Sequence, residues 1–221
     1  MRTSVLVPLV AVAVTLAGRA VGADTERLKN AEAVLTEMAG SSDAGIPLDL
    51  FRKAECAVII PGVKKAALGI GGQYGRGYIS CRVDDRKGWS APAGIRIEGG
   101  SVGLQIGGSD TDVILLVMPG RGKDRLLSSR FTVGADASVA AGPVGRQASA
   151  QTDATMMAEI LAWSRSRGVF AGISLQGSTL REDAGENEEL YGRAITNKEL
   201  VTGRVPPPAA AAGLMAALAK Y

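Results

Sequence analysis

The 221-residue chain contains no histidine. That removes the side chain that most often serves as general base near neutral pH, the commonest zinc ligand, and every Ser-His or Cys-His nucleophile pair. Its two cysteines, Cys56 and Cys81, are too few for a closed zinc site. Aromatic residues make up 4% of the chain against 46% hydrophobic, so Val, Ile, Leu, Ala and Met must fill the core. Phosphate-binding loops are missing too: there is no Gly-x-x-x-x-Gly-Lys-Ser/Thr, and the glycines of residues 69–77 lack Gly-x-Gly-x-x-Gly spacing. Ser174, in Gly172-Ile173-Ser174-Leu175-Gln176, misses the last glycine of a nucleophile elbow.

The one long apolar run is residues 5–17, short for a bilayer span. With Arg2 ahead of it and Val21-Gly22-Ala23 behind, it reads as an export signal cut before Asp24. The alternative is an uncleaved membrane anchor. Removing residues 1–23 takes Arg2 and Arg19 and no acid, leaving 23 bases against 22 acids. A net charge of +3 falls to +1, and nothing points to nucleic acid. In an exported chain an even cysteine pair favours a Cys56–Cys81 bridge, formed if strands 56–61 and 77–83 return on one another. Closing that loop is worth roughly 3–4 kcal/mol in the chain-entropy model. Two buried free thiols are the other reading.

Leu28, Ala31, Leu35 and Met38 recur at three- and four-residue steps, predicting a helix over residues 24–40, capped by Asp24 or Thr25 and stopped by Gly40. A second short helix follows Ile46-Pro47. Beyond Cys56 the period drops to two, as in Ile95, Ile97, Val102, Leu104 and Ile106. Further strand-like runs lie at 113–118, 131–141, 156–164 and 169–180, with a short helix within 121–130. Gly71-Gly72, Gly99-Gly100 and Gly107-Gly108 mark bends of an antiparallel sheet. The acid-rich run 181–189 reads as a solvated loop or helix face. Pro206-Pro207-Pro208 precedes an Ala-rich segment, 209–221, expected as a mobile or loosely docked short helix.

Four phrases stand in order: VKKAALGIGGQYGRG at 63–77, GWSAPAGIRIEGGSVGLQIGGSDTDVILLVM at 88–118, AGPVGRQASA at 141–150 and SRSRGVFAGISLQGSTL at 164–180. Together they resemble the SYLF domain, a family of lipid-binding modules whose eukaryotic members bind phosphoinositides, one yeast member also binding actin. The resemblance implies an α+β fold: a glycine-rich, curved, barrel-like antiparallel sheet with N-terminal helices. The divisions are an export signal (1–23), an N-terminal helical segment (24–55), the SYLF-like core (56–193) and a C-terminal tail (194–221). It further implies non-enzymatic binding of anionic phospholipid through an amphipathic helix and nearby bases, in a protein that is periplasmic or secreted and peripheral on a membrane. The residues assigned to lipid are Lys64, Lys65, Arg121, Lys123, Arg125, Leu28 and Leu35; Arg165 and Arg167 flank a turn in the last phrase. Actin is not carried over, because an exported bacterial protein would meet none. The rival is a structural or protein-interaction module of the cell envelope, with helix 24–40 in the core. Catalytic, cofactor and metal residues are assigned to no position. Asp110 and Asp112, with Asp136 and Asp153, leave a cation-dependent or acid–base enzyme as a third class, against their reading as turn caps. Arg146 is an alternative partner for Asp136.

Overall fold

The chain begins its regular structure with a 24-residue helix, α1 (Ala17–Gly40), followed by α2 (Leu48–Lys53). This is a computed structural model; it describes residues 17–40, 45–83, 87–128, 130–143, 157–166, 169–170, 175, 177–203 and 205–221. The helix predicted from Asp24 thus starts seven residues earlier, in the last part of the expected export segment, and ends at Gly40 as anticipated. Among the described residues no helix is long and apolar enough to cross a membrane.

After α2 come β1 (Cys56–Val83), β2 (Gly88–Trp89) and β3 (Ala93–Val117). Next are α3 (Gly122–Leu126), β4 (Phe131–Thr132), β5 (Val139–Ala141), β6 (Ile160–Ser166), β7 (Val169–Phe170) and β8 (Thr179–Glu182). Helices α4 (Ala184–Tyr191) and α5 (Asn197–Thr202) and a 3-10 turn, Ala209–Ala211, lead into α6 (Ala212–Leu218). The sheet runs β2-β1-β3-β6-β5, with β8 and β4 attached beyond β3 and β7 on β6. Among the described residues, all pairings between strands are antiparallel except β5 with β6. The fold is therefore the expected α+β curved sheet with N-terminal helices.

The strands predicted at 56–61 and 77–83 are two ends of one strand, β1. It pairs with β3 from Cys56↔Val117 to Ile79↔Ala93, with register breaks at Ile60/Val63 and Leu68/Ile70. Twenty-five extended residues would separate its ends by roughly 80 Å. Instead the Cα atoms of Cys56 and Cys81 lie 3.9 Å apart, joined by a disulfide, and the Arg82 amide donates to the Glu55 carbonyl at 2.7 Å. The strand curls until its end lies across its own beginning. Gly77 permits the crossing: a Cβ there would stand 2.1 Å from the Ile59 carbonyl oxygen.

Both faces of this curled sheet are covered. One face, with Ile59, Tyr78, Ile114, Leu116 and Trp163, packs on Leu28, Leu35 and Met38 of α1, Phe51 of α2 and Leu214 and Leu218 of α6. The alternate residues Val58, Ile60, Ile79, Val113 and Leu115 join Ile95, Ile97, Phe131, Leu180 and Leu200 in the curl's interior. This explains the unbroken apolar run of residues 113–117, since each side chain finds a buried face. At about 1.5–3 kcal/mol per large apolar side chain, this burial is the main force holding α1 to the sheet.

The C-terminal segment corrects an expectation. It is packed, not mobile or loosely docked: Leu214 and Leu218 are buried, and the Tyr221 ring stacks on Phe51 with centroids 4.6 Å apart. Arg82 adds hydrogen bonds to the Phe51 and Tyr221 carbonyls, at 3.3 and 2.9 Å.

Candidate functional site

Two adjoining clefts open on the curled β1–β3 pair, the first of them against α1. The first, about 790 Å³, lies between Arg27, Asn30 and Val34 of α1 and Pro61, Lys64, Tyr74, Asp110 and Arg165 of the sheet. The second, about 940 Å³, shares Lys64, Tyr74 and Asp110 and adds Lys65, Gln73, Ser109 and Ser166. The Ile60/Val63 register break shapes this mouth. Gly62 takes φ +59°, a left-handed conformation that a side chain would resist, and its amide donates to Asp112 Oδ1 at 3.1 Å.

Lys64 and Lys65 pair in register with Asp110 and Ser109. Lys64 Nζ lies 3.5 Å from Asp110 Oδ2, and both side chains are well exposed, so solvent screens the pair. Burial lowers the Lys65 pKa from its ordinary value. Tyr74 lines both clefts and is 49% exposed, one of three exposed large hydrophobic residues among those described.

Arg165 of β6 bridges the elements that form the cleft, donating to Asp112 of β3 at 2.9 Å and to Glu37 of α1. Burial works to lower its pKa, and the two carboxylates outweigh it, holding it above its ordinary value. Asp112 therefore serves as acceptor for a backbone amide and a guanidinium, and Asp110 as partner to Lys64.

The predicted lipid-contacting residues divide into three places. Lys64 and Lys65 share the cleft mouth. Arg121, Lys123 and Arg125 belong to α3 and its start, where Gly122 abuts Val117 and Glu159, roughly 20 Å of strand from Asp110. There Arg125 is engaged by Glu159 at 3.1 Å and by the Asp136 carbonyl at 2.7 Å. Leu28 and Leu35 point into the core, 1% and 0% exposed. Of the two burials open to that helix, against lipid or against the sheet, this structure has the second. The Asp136 carboxylate accepts from the Thr132 amide at 2.5 Å, while Arg146, Asp153 and Arg167 lie outside the described residues.

A buried polar network beneath the first cleft was not anticipated. The run 181–189, expected as a solvated loop or face, spans the end of β8 and most of α4; Glu188 and Glu189 are exposed as expected, but Asp183 and Glu186 are buried, Glu186 being 1% exposed. Asp183 caps that helix, accepting from the Glu186 amide at 3.4 Å, and also receives Arg76 of β1. Glu186 accepts from Arg27 of α1 and from the Tyr78 hydroxyl, and forms an ion pair with Arg76 at 3.2 Å. Arg27 also reaches Asp24 at 3.1 Å. These bonds join α1, β1 and α4 in the interior. Burial pushes the Glu186 pKa up, against the Tyr78 and Arg27 bonds; for Asp183 burial raises it, yet Arg76 outweighs that and leaves it below the ordinary range. Burial, then the Glu186 charge, raises Tyr78. In the sequence, the only signal was a chain rich in acids exactly where it also had to pack, and charge alone did not reveal its partners.

Residues 98–221, more than half of the chain, match the Ysc84 family, described as Las17-binding protein actin regulator. The chain belongs to the Ysc84 family. The SYLF resemblance is borne out, and eukaryotic relatives share part of their length with this chain. An SH3 domain-containing protein of Schizosaccharomyces pombe is 40% identical over 169 residues, covering 75% of this chain and 39% of that protein. LAS seventeen-binding protein 3 of Saccharomyces cerevisiae is 36% identical over 175 residues, 76% of this chain and 37% of its own length. SH3 domain-containing YSC84-like protein 1 of Homo sapiens is 32% identical over 173 residues, 78% and 50% of the two chains. The chain thus spans half or less of the Ysc84-family relatives it matches.

Proposed function

We propose that this Ysc84-family chain binds anionic phospholipid at a membrane surface, without catalysis, through the cleft mouth formed by Lys64, Lys65 and Tyr74. The observation that carries the reading is their meeting on one rim, two bases beside a half-exposed aromatic ring. Each base near an anionic surface contributes roughly 1 kcal/mol, and a tyrosine suits an interface, with an apolar ring and a polar tip. The screened Lys64–Asp110 pair exchanges readily for a phosphate. Since α1 spends its apolar face on the core, attraction rests on these bases and not on helix insertion. We further place this activity outside the cytoplasm, after export; the Cys56–Cys81 disulfide supports an oxidising compartment.

Co-sedimentation with neutral and anionic vesicles at two salt concentrations tests this. Binding should be selective for anionic vesicles, weaken with salt, and fall in a Lys64→Glu, Lys65→Glu double variant. A Lys123→Glu variant on α3 serves as the comparison. Unchanged binding by the double variant removes the rim from the site.

A protein-docking role in the cell envelope is the second reading, favoured by the burial of Leu28 and Leu35. Vesicle binding that is absent or insensitive to salt would select it.

A further inference from the structure

Asp24 is the first buried residue of α1 among those whose side chains are described; Gly22, just ahead, is exposed. Its carboxylate meets those of Glu186 and Glu189 on α4, one oxygen of each lying within 4.8 Å of the others. The neighbouring Asp24 carboxyl first, then burial and the Glu186 charge, raises the Glu189 pKa. Among the described residues, the cations facing this point are Arg27 from α1 and Arg76 from β1. Arg96 of β3 acts on Asp183 from the far side and is itself paired with Glu98, and Tyr78 remains a neutral donor. Among the described residues, carboxylates from Asp24, Asp183, Glu186 and Glu189 thus outnumber the guanidinium groups of Arg27 and Arg76.

The missing positive charge has a source in the sequence. We propose that cleavage between Ala23 and Asp24 creates it: the new α-ammonium group of Asp24 is held by the Asp24, Glu186 and Glu189 carboxylates and completes the anchoring of α1 to α4. Hydrolysis of that peptide bond by a signal peptidase adds one water. The Ala23 carbonyl becomes a carboxylate, and the Asp24 nitrogen departs as an amine that takes up a proton. The positive end of the helix dipole opposes a cation there, but carboxylates at contact range in a partly desolvated setting outweigh it. The inference rests on the export reading above, and adds to it that processing supplies a structural ion, not merely a free end.

The sign of the pH effect follows. Held by carboxylates, the amine titrates above its ordinary range of about 7.7–8.0. Its contribution to stability is complete below that range and is lost as pH rises through the folded value.

The test begins with the full 221-residue precursor expressed in an exporting host, the secreted product being identified by intact mass and amino-terminal sequencing. The α-amine is then titrated by its rate of acetylation with acetic anhydride against pH. Glu189→Gln serves as the variant, because Glu189 is exposed and its loss spares the core. The expected results are Asp24 as first residue, a midpoint raised by about half a pH unit or more, and a lower midpoint in Glu189→Gln. An uncut chain overturns the export reading and this inference together. A chain beginning at Asp24 with an ordinary midpoint, unmoved by Glu189→Gln, overturns this inference alone.

Discussion

Gly77 lies directly over the carbonyl oxygen of Ile59, eighteen residues earlier in the same strand, leaving 2.1 Å for any Cβ. The Gly77→Ala variant must therefore open the crossing of β1 over itself, since the obstacle is backbone and cannot rotate away. Overpacking costs about 1–3 kcal/mol where side chains yield, so the loss here should reach or exceed that range. Gly72→Ala, whose added Cβ meets nothing nearer than 3.9 Å, should change stability little. Urea denaturation of the two variants side by side measures the contrast.

The disulfide closes a loop of 25 residues between two fully buried sulfurs. Replacing both cysteines by alanine should cost about 3.5 kcal/mol in the chain-entropy model. Linear extrapolation from a denaturant series gives the value, and a native protein resistant to mild reductant would agree with the burial.

Asp183 and Glu186 stand a few ångströms apart and should respond to acid in opposite senses. Asp183 has a folded pKa below its unfolded one, so its contribution is present above about pH 4 and is lost as pH falls through the folded value. Glu186 has a raised folded pKa, so its share works the other way, and protonation relieves it. Asp183→Asn should therefore lower stability near neutral pH and flatten its decline in acid. Thermal melts from pH 2.5 to 7 would show whether that slope disappears.

Leu35→Ala should destabilise the fold by about 2–5 kcal/mol, because it removes a fully buried side chain between α1 and the sheet. At temperatures where the variant remains folded, its attraction to anionic vesicles should match the parent. A selective loss of vesicle binding in a folded Leu35→Ala protein would return α1 to the membrane surface.

The helical face of α1 could be read because Leu28, Ala31, Leu35 and Met38 obey one simple period, and each is buried. The sheet's character was likewise legible in alternation and in glycine pairs: Gly72 faces Gly100, and Ala66 faces Gly108. The curl was not. Alternation states which face a residue takes, but not which distant strand ends meet, and 56–61 and 77–83 read as two strands for that reason. Site residues fared similarly. Lys64 and Lys65 adjoin in sequence and share a cleft, whereas Arg121, Lys123 and Arg125 are a cluster that ends up elsewhere, with Arg125 tied to Glu159. Neighbouring charge along the chain reports proximity only within one element. The burial of Glu186 and of the Ala-rich α6 was not legible for a shared cause: what buries each is a partner far away in sequence, Arg27 and Arg76 for Glu186, and α1 for Leu214.

The pairing of Cys56 with Val117 sets a clock on the molecule. Sixty-one residues must leave the ribosome after Cys56 before its partner exists, and the nearer pair, Ile79 and Ala93, is available first, so loop entropy favours closing the hairpin outward from that pair. Such non-local pairing costs loop entropy before contacts reward it, which places β-rich domains in the millisecond-to-second range of folding. Slow closure leaves the chain threadable for longer.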